Sequence, residues 1–514
     1  MSALGLRGRR RGDAARNRRA DAARNGGGPD PGTTGSDGRS DQAADERRPD
    51  SERSSDPRMP AGRGTELVLS LAAVVVVAAA EAIIEATRDG RVSGRIASYG
   101  TFALVLALVA HIAIRWRARY ADPVLLPCVV LINGLGLVMI HRLDLGLKQS
   151  AAEGGPDRYS GPSAPTQVVW TALGLALFVG ILLFLRDHRV LARYGYTLGL
   201  AGLVFLALPS VLPARISQVN GARIWIRVGG FSIQPGELSK IALTIFAAAY
   251  LVSKRDVLSA AGRTVLGLEL PRGRDVGPLV LAWLICIGVL VRGHDLGTSL
   301  MFFGVFVVLL YVATERVSWL VIGLLLFAGG TYLAYQLFDT LRTRVDVWLH
   351  PFDTGDAGYQ LSQSLFGLGT GGLFGTGLGG GRPETVPVVK SDFIVSAFGE
   401  ELGLFGLVAI LTVYGLLIFR GLSAALSARD AFSKLLATGL SFSLGLQTFI
   451  VMAGATRLLP ETGLTMPFLS YGGSSLVANY VLLALLVRVS DAARRPRPVG
   501  PADATEDEPA EVAA

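Results

Sequence analysis

Apolar runs of near-membrane length alternate with polar or charged segments along most of the chain. Most of these runs approach the roughly 20 residues that an α-helix needs to cross the hydrocarbon core of a bilayer. In the first half they cover residues 67–86, 96–116, 123–140, 168–185, 196–212 and 238–252. In the second half they cover residues 276–291, 298–312, 319–337, 402–419, 435–452 and 468–487. This pattern predicts an all-α, polytopic membrane helix bundle of about twelve transmembrane helices.

Composition supports the bilayer as the solvent for most of the chain. Half of the 514 residues are hydrophobic and only 18% are charged, which is too apolar for a soluble protein of this size. The net charge of +8 comes mostly from the N-terminal tail and short loops, so positive-inside topology explains it better than nucleic-acid binding. The two cysteines, Cys128 and Cys286, lie in apolar runs, so neither a disulfide framework nor a cysteine metal cluster is expected.

The ends of the chain differ from its middle. Residues 1–64 are rich in Arg, Asp, Gly, Pro and Ser, and residues 491–514 become acidic, so both segments are predicted to be disordered cytoplasmic tails. No cleavable signal peptide precedes the first apolar run, which is therefore expected to act as the insertion signal. Between the tails, residues 65–490 contain the twelve apolar runs, the first two of them within residues 65–122.

The distribution of arginine predicts the orientation. An even number of helices places both termini on one side, and the Arg-dense tail assigns that side to the cytoplasm. Short segments at residues 115–122, 186–194, 254–275, 420–434 and 488–497 are also Arg-rich, whereas the longer alternate loops contain fewer basic residues. Arg88, Arg91 and Arg95 weaken this alternation locally.

Two non-cytoplasmic connections, residues 213–237 and 338–401, are long enough to suggest a function. The second lies between the ninth and tenth helices and contains a glycine-rich run at residues 367–381, which is expected to dip into the membrane where protein covers it. Gly367, Gly369 and Gly372 match GxGxxG, but no predicted strand precedes them. Tight turns and close helix approach are favoured over nucleotide binding.

Asp295 directly precedes the eighth apolar run, at its non-cytoplasmic end. An ionisable group at a membrane entrance suggests a functional role. Asp is also a favoured helix N-cap, which would accept a hydrogen bond from the amide of Gly297 or Thr298. The residue pattern alone leaves these two interpretations about equal.

Three more charged residues lie at the same predicted face. Glu237 and Lys240 have the i, i+3 spacing of a local ion pair after Pro235, and the alternative is that they line a polar cavity. Arg223 fits an interfacial anchor beside Trp225 better than a phosphate ligand.

Four charged residues end the long connection. Lys390, Asp392, Glu400 and Glu401 lie in VVKSDFIVSAFGEELG. The two glutamates are predicted to lie at the start of the tenth helix, where the helix dipole favours negative charge.

Six ordered motifs resemble the SEDS family (shape, elongation, division and sporulation), which includes RodA and FtsW. The resemblance covers about residues 123–490. Its motifs are GLVMIHRLD at 136–144, NGARIWIRVGGFSIQPGELSK at 220–240, HDLGTS at 294–299, GYQLSQS at 358–364, DFIVSAFGEELGLFG at 392–406 and PETGLTMPFLSYGGSS at 460–475. The sequence departs from the family pattern at Gly236, where Ser is usual, and at Gly293 and His294, where QPDLGT is commoner. The two additional helices and ADPVLLP at 121–127 resemble the actinobacterial RodA type, which favours elongation over division.

The resemblance implies a ten-helix glycosyltransferase core that polymerises lipid II at the outer face of the bacterial inner membrane and releases undecaprenyl pyrophosphate. The family's essential Asp corresponds to Asp295. We assign substrate binding to residues of the charged motifs and of the PETG motif, namely Arg223, Glu237, Lys240, Lys390, Asp392, Glu400, Ser470 and Tyr471. A divalent cation, Mg²⁺ or Mn²⁺, is a candidate cofactor. Expected partners are a class B penicillin-binding protein and other elongation or division proteins, without nucleic acid. The alternatives are a lipid II flippase and a noncatalytic scaffold.

Overall fold

The computed structural model describes residues 63–90, 95–154, 159, 161–219, 222–228, 231–255, 263–265, 268–270, 273–292 and 295–496. The predicted disordered tails lie outside these residues, except at their inner ends. The first described helix begins at Arg63, inside the predicted N-terminal tail. The last described helix ends at Arg494, four residues past the predicted end of the core.

Helices account for most of the described chain. Those of the first half are α1 (Arg63–Asp89), α2 (Arg95–Arg117), α3 (Leu125–Ala152), α4 (Ala164–Phe184), α5 (Val190–Arg193), α6 (Gly195–Val211), α7 (Ala214–Ser217) and α8 (Pro235–Ser253). Those of the second half are α9 (Gly273–Arg292), α10 (Leu296–Thr314), α11 (Ser318–Leu337), α12 (Asp339–Leu349), α13 (Asp356–Gly371), α14 (Ile394–Leu426), α15 (Ala431–Ala455) and α16 (Gly473–Arg494).

Each predicted apolar run falls on one of these helices, which confirms an all-α, multi-pass membrane bundle. Within the described residues, ten helices are long and apolar enough to cross a membrane. The runs on α6, which has 17 residues, and on α9 are not among these ten. The count of about twelve spans therefore stays a prediction for these two.

The helices differ greatly in burial, which locates the centre of the bundle. In α3 and α16, 89% and 83% of the most apolar 18-residue stretch is buried within the protein. The corresponding value for α11 is 6%. Since lipid is as apolar as leucine, an exposed apolar helix is stable at the bundle surface, and we infer that α11 faces lipid. The central helices α3 and α16 instead carry buried polar residues, among them Arg142 and Asp144 on α3 and Asn479 and Arg488 on α16.

Three short hairpins interrupt the helical pattern. Their antiparallel strands are β1 (Gln218–Val219) with β2 (Ala222–Arg223), β3 (Ile226–Val228) with β4 (Phe231–Ile233), and β5 (Arg263–Val265) with β6 (Leu268–Leu270). None of these strands was predicted from the pattern of apolar residues. For the first two hairpins the signal was present, because Asn220-Gly221 and Gly229-Gly230 are dipeptides typical of two-residue hairpin turns.

The long connection contains its own helices, α12 and α13, and a 3₁₀ turn at Pro383–Thr385. The following helix, α14, begins at Ile394, eight residues before the predicted run. Its backbone is broken at Gly403, which has φ 67° and ψ −169°. The predicted position of Glu400 and Glu401 at a helix start is therefore wrong, because both lie at the C-terminal end of the segment before the break.

The glycine-rich run packs tightly against this segment of α14. A Cβ atom at Gly371 would lie 2.0 Å from the carbonyl oxygen of Gly399, and Gly375 has a positive φ of 78° beside the carbonyl of Glu401. Gly367 and Gly369 lie inside α13 rather than in a loop after a strand. The geometry agrees with the predicted role in close approach and not with a nucleotide-binding turn.

Candidate active site

Asp295 forms the N-cap of α10. Its Oδ1 accepts a hydrogen bond from the backbone N–H of Thr298 at 2.9 Å, and its own carbonyl accepts one from Ser299 Oγ at 2.8 Å. The residue is 6% exposed. The N-cap interpretation is thus confirmed, and it accounts for one of the two carboxylate oxygens.

The other oxygen, Oδ2, lies 3.5 Å from Gln234 Nε2 at the start of α8. Asp295 and Gln234 line a cleft with Arg223 on β2 and with the end of α6 around Pro209. The cavity volume of this cleft is about 10 Å³, room for roughly one water molecule. Small-ligand pockets usually span about 300–1,000 Å³, so a disaccharide substrate requires the flanking segments to move apart.

Burial raises the pKa of Asp295 above the usual value of an aspartic acid. The hydrogen bonds from Thr298 and the positive charge of Arg344 oppose this shift, whereas the negative charge of Glu237 adds to it. A carboxylate with a raised pKa attracts a proton more strongly. The site therefore favours a base at position 295.

Glu237 and Lys240 form the predicted local ion pair, with Lys240 Nζ 2.8 Å from Glu237 Oε2. Lys240 Nζ also donates to Gln447 Oε1 at 2.9 Å, and both charged side chains are buried. Lys240 is not among the residues that line the Asp295 cleft. Its assignment to substrate binding stays a prediction that requires a rearrangement.

Arg344 does not line the cleft, but its positive charge acts on the site, and no sequence pattern had singled it out. It lies on α12 in the long connection, and its charge acts on Asp295, Asp392 and Glu461. Its Nη1 donates to the carbonyl of Glu461 at 3.2 Å. No local spacing distinguished this arginine, because its acidic neighbours come from three distant parts of the chain.

The segment containing Glu461 packs on the first turn after Asp295. A Cβ atom at Gly297 would lie 2.8 Å from Thr462 Cβ, and one at Gly463 would lie 4.0 Å from Asp392 Oδ2. Three of the family motifs, HDLGTS, DFIVSAFGEELGLFG and PETGLTMPFLSYGGSS, therefore meet at one place. Asp392 belongs to this group.

Asp392 provides a test of pH dependence. Burial and the nearby charge of Glu461 raise its pKa to about 7, against opposing effects of Ser391 and Arg344. The folded protein therefore holds a proton here that the unfolded chain releases near pH 4, so this contribution to stability is lost as the pH rises through about 7. We expect the Tm of Asp392→Asn to fall less than that of the wild type between pH 5 and pH 8. The exposed Asp353→Asn is the control, and equal pH slopes for wild type and Asp392→Asn would contradict the assignment.

Lys390, Ser470 and Tyr471 form a separate cluster. Lys390 Nζ contacts Asp144 Oδ1 at 2.5 Å and Ser163 Oγ at 2.9 Å, while its carbonyl accepts the N–H of Tyr471 at 2.8 Å. Ser470 Oγ donates to the carbonyl of Ser391 at 2.6 Å. These contacts tie the long connection to the start of α16. Since Asp144 neutralises Lys390, this lysine is engaged structurally and is not among the residues lining the Asp295 cleft.

Glu400 and Glu401 belong to a buried network around Arg142 of α3. Arg142 Nε lies 2.6 Å from Glu401 Oε1, Nη1 lies 3.0 Å from Glu384 Oε2, and Nη2 donates to the carbonyl of Gly381 at 2.7 Å. Glu400 Oε1 accepts the backbone N–H of Arg382 at 2.6 Å. Glu400 and Glu401 lie at the C-terminal end of a helical segment, where the helix dipole disfavours negative charge. The positive charge of Arg142 compensates for this.

Sequence comparison identifies the relatives of the chain. The profile of the FtsW/RodA/SpoVE cell cycle proteins matches residues 123–495. The chain is 56% identical over 441 residues to the peptidoglycan glycosyltransferase RodA of Mycobacterium tuberculosis, a match that covers 86% of this chain and 93% of that protein. It is 34% identical over 378 residues to a probable peptidoglycan glycosyltransferase FtsW of Geobacter, covering 73% and 98%.

Solved structures give the same result. A chain of a peptidoglycan synthase complex matches with a TM-score of 0.56 and 28% identity, covering 73% of this chain and 99% of that one. The rod shape determining protein RodA of Thermus thermophilus matches with a TM-score of 0.51 and 28% identity, covering 73% and 98%. The chain therefore belongs to the FtsW/RodA/SpoVE family.

Proposed function

We propose that the protein is a peptidoglycan glycosyltransferase that joins lipid II into glycan strands and releases undecaprenyl pyrophosphate. Relatives 56% identical to it bear that enzyme name. The observation that carries the mechanism is Asp295, buried at a helix N-cap with one oxygen beside a cleft that also contains Arg223. A membrane helix bundle that ends in such a cleft suits a substrate with a lipid tail and a polar head.

In this reaction the 4-hydroxyl of one sugar attacks the anomeric carbon of another. The hydroxyl loses its proton as the new C–O bond forms, and the bond to the pyrophosphate oxygen breaks. Asp295 accepts the proton as general base, a role that typically contributes 10²- to 10⁴-fold to the rate. The departing pyrophosphate carries concentrated negative charge, which needs cationic partners.

Arg223 is positioned to provide such a partner. It is exposed on β2, lines the cleft with Asp295, and has a planar guanidinium that can bind a phosphate with two hydrogen bonds. Lys240 and Lys390 stay in the proposal as secondary cations, because their present partners Glu237 and Asp144 would have to release them.

We expect Arg223→Ala to reduce the rate of lipid II polymerisation by about 10- to 100-fold, since a hydrogen bond to a charged group is worth about 1.5–3 kcal/mol. The matched control is Arg227→Ala, an exposed arginine on the adjacent hairpin that does not line the cleft. The measurement is the initial rate at several lipid II concentrations. Equal rates for the two variants would remove Arg223 from the site.

A divalent cation, Mg²⁺ or Mn²⁺, is part of the proposal. Among the described residues no three His, Cys, Asp or Glu side chains converge as ligands. Mg²⁺ is commonly held by one or two carboxylates together with substrate phosphates. Asp295 Oδ2 would supply the carboxylate in place of its role as base, because Oδ1 already accepts the N–H of Thr298. The cation would neutralise charge on the leaving group.

An apolar groove lies one helical turn beyond Lys240, between α8, α9 and α10. Its lining includes Leu243, Phe246, Trp283, Cys286 and Phe302, and its cavity volume is about 40 Å³. We assign this groove to the prenyl chain of the substrate, which requires α8, α9 and α10 to move apart. The Asp295 cleft then holds the polar head of lipid II, and the groove holds its prenyl chain.

The proposed setting is the inner membrane of a bacterium, with both termini in the cytoplasm and the Asp295 cleft on the outer face. The partner is a class B penicillin-binding protein that crosslinks the new strands, together with other proteins of the elongation complex. The relative found in a peptidoglycan synthase complex supports such an assembly.

One assay tests the proposal against its alternatives. Purified protein, with and without the partner, is incubated with labelled lipid II in vesicles, and glycan length and lipid orientation are both measured. A polymerase yields long glycans, a flippase moves lipid II without forming them, and a scaffold changes only the activity of its partner. Absence of glycan in every condition would overturn the proposed function.

A further inference from the structure

A second polar cavity lies at the far end of α16 from the Asp295 cleft. It has a volume of about 440 Å³, and its lining consists of Arg117, Arg186, Arg488 and Arg495. The start of α16 contacts the Asp295 region, because Ser474 Oγ accepts the N–H of Gln234. At 1.5 Å per residue, the arginines on α16 lie roughly 20–30 Å away along the helix. The cavity is therefore distinct from the proposed active site.

Main-chain contacts build this cavity without neutralising it. Arg488, which is 3% exposed, donates to the carbonyls of Arg117 and Leu182, and Arg117 Nη2 donates to the carbonyl of Leu183 at 3.0 Å. The Nε atoms of both arginines are buried and have no hydrogen-bond partner.

The charge balance of the cavity is strongly positive. Within the part of the chain that the structure describes, only Arg495 among the four arginines forms an ion pair, with Asp491 at 2.7 Å. Carbonyl groups orient a guanidinium but do not cancel its charge, and a buried charge without a counterion is costly. The cavity is thus suited to a bound anion.

Two exposed aromatic residues indicate what kind of anion. Trp116, adjacent to Arg117, is 68% exposed, and Phe184, two residues before Arg186, is 87% exposed. Both lie at the ends of membrane helices, where aromatic side chains occupy the headgroup level of a bilayer. An anion placed in the cavity can therefore continue into acyl chains along α2 and α4.

We propose that this arginine cavity binds the phosphate of an anionic phospholipid. Guanidinium groups match phosphate oxygens in geometry, and basic pockets between membrane helices are suited to lipid headgroups. The phosphate occupies the space between Arg117, Arg186, Arg488 and Arg495, and the acyl chains lie against Trp116 and Phe184. This inference does not depend on the proposed glycosyltransferase activity.

The test uses delipidated full-length protein in detergent, titrated with phosphatidylglycerol or with phosphatidylcholine of the same acyl chains and read by native mass spectrometry. Each arginine near a phosphate contributes about fivefold to lipid binding. We expect at least tenfold preference for phosphatidylglycerol, and about fivefold weaker binding for Arg186→Gln. The Arg186 side chain is exposed, so folding should be preserved. Arg193→Gln, an exposed arginine on α5 outside the cavity, should bind as the wild type does.

Several outcomes would overturn the proposal. Equal binding of the two lipids, or equal weakening by Arg193→Gln, would show that the cavity does not select anionic headgroups. Competition by sodium phosphate at the same concentration as phosphatidylglycerol would identify a free-phosphate site. If deletion of residues 503–514 raised the affinity for phosphatidylglycerol more than tenfold, the acidic tail would be the natural occupant in place of lipid.

Discussion

Asp295→Asn is expected to reduce lipid II polymerisation by about 10²- to 10⁴-fold while leaving the protein folded. Asparagine can still accept the N–H of Thr298, because Asn is as good an N-cap as Asp, so the start of α10 is preserved. What the amide cannot do is accept the proton of the attacking hydroxyl. The measurement is the rate of glycan formation at saturating lipid II, together with the Tm.

The matched control for this variant is Asp430→Asn. Asp430 caps α15 in the same way, with Oδ1 accepting the N–H of Ser433 at 2.9 Å, but it is not among the residues lining the cleft. The Asp430→Asn variant should therefore polymerise lipid II at close to the wild-type rate. If Asp295→Asn polymerised lipid II as fast as Asp430→Asn, position 295 would be only a helix cap. The wild-type rate should also fall on acidification, because the base loses activity below its raised pKa.

Arg142→Ala is expected to destabilise the protein by about 3–5 kcal/mol. This change leaves Glu401, whose side chain is fully buried, without its cationic partner, and an uncompensated buried charge costs about that much. It also removes the donors to Glu384 and to the carbonyl of Gly381. The measurement is thermal unfolding of the full chain in detergent.

An exposed ion pair provides the control for this prediction. Arg189 and Asp430 lie 2.9 Å apart, but their side chains are 48% and 32% exposed, so Arg189→Ala should cost no more than about 1 kcal/mol. The double variant Arg142→Ala, Glu401→Gln should recover part of the lost stability, because it removes the isolated charge. A loss for Arg142→Ala no larger than that for Arg189→Ala would contradict the network as described.

The network also gives the N-terminal helices a structural connection to the long loop. Arg88 at the end of α1 donates to the carbonyl of Gly381 at 2.9 Å, the same carbonyl that Arg142 binds. The helix α1 lies outside the region matched by the family profile, which begins at residue 123. This chain therefore fixes the loop partly through an element that the profile does not include.

The sequence by itself determined the features that depend on local periodicity and spacing. The apolar runs predicted the membrane helices because hydrophobic length is a property of neighbouring residues. The N-cap at Asp295 was one of two interpretations left open, and the ion pair of Glu237 with Lys240 was the favoured one of two. Both could be proposed because the partners lie three residues away. The family motifs marked the segments that meet at the site.

Only the tertiary structure decided which distant charges are partners. Arg142 binds Glu401 across 259 positions, and Lys390 binds Asp144 across 246. Arg344 was missed because its acidic neighbours converge only after the helices pack. Glu400 and Glu401 were placed at a helix start because the break at Gly403 depends on the close approach of the glycine-rich run. Periodicity fixes which face of a helix is apolar, whereas the pairing of buried charges depends on how helices far apart in the chain come together.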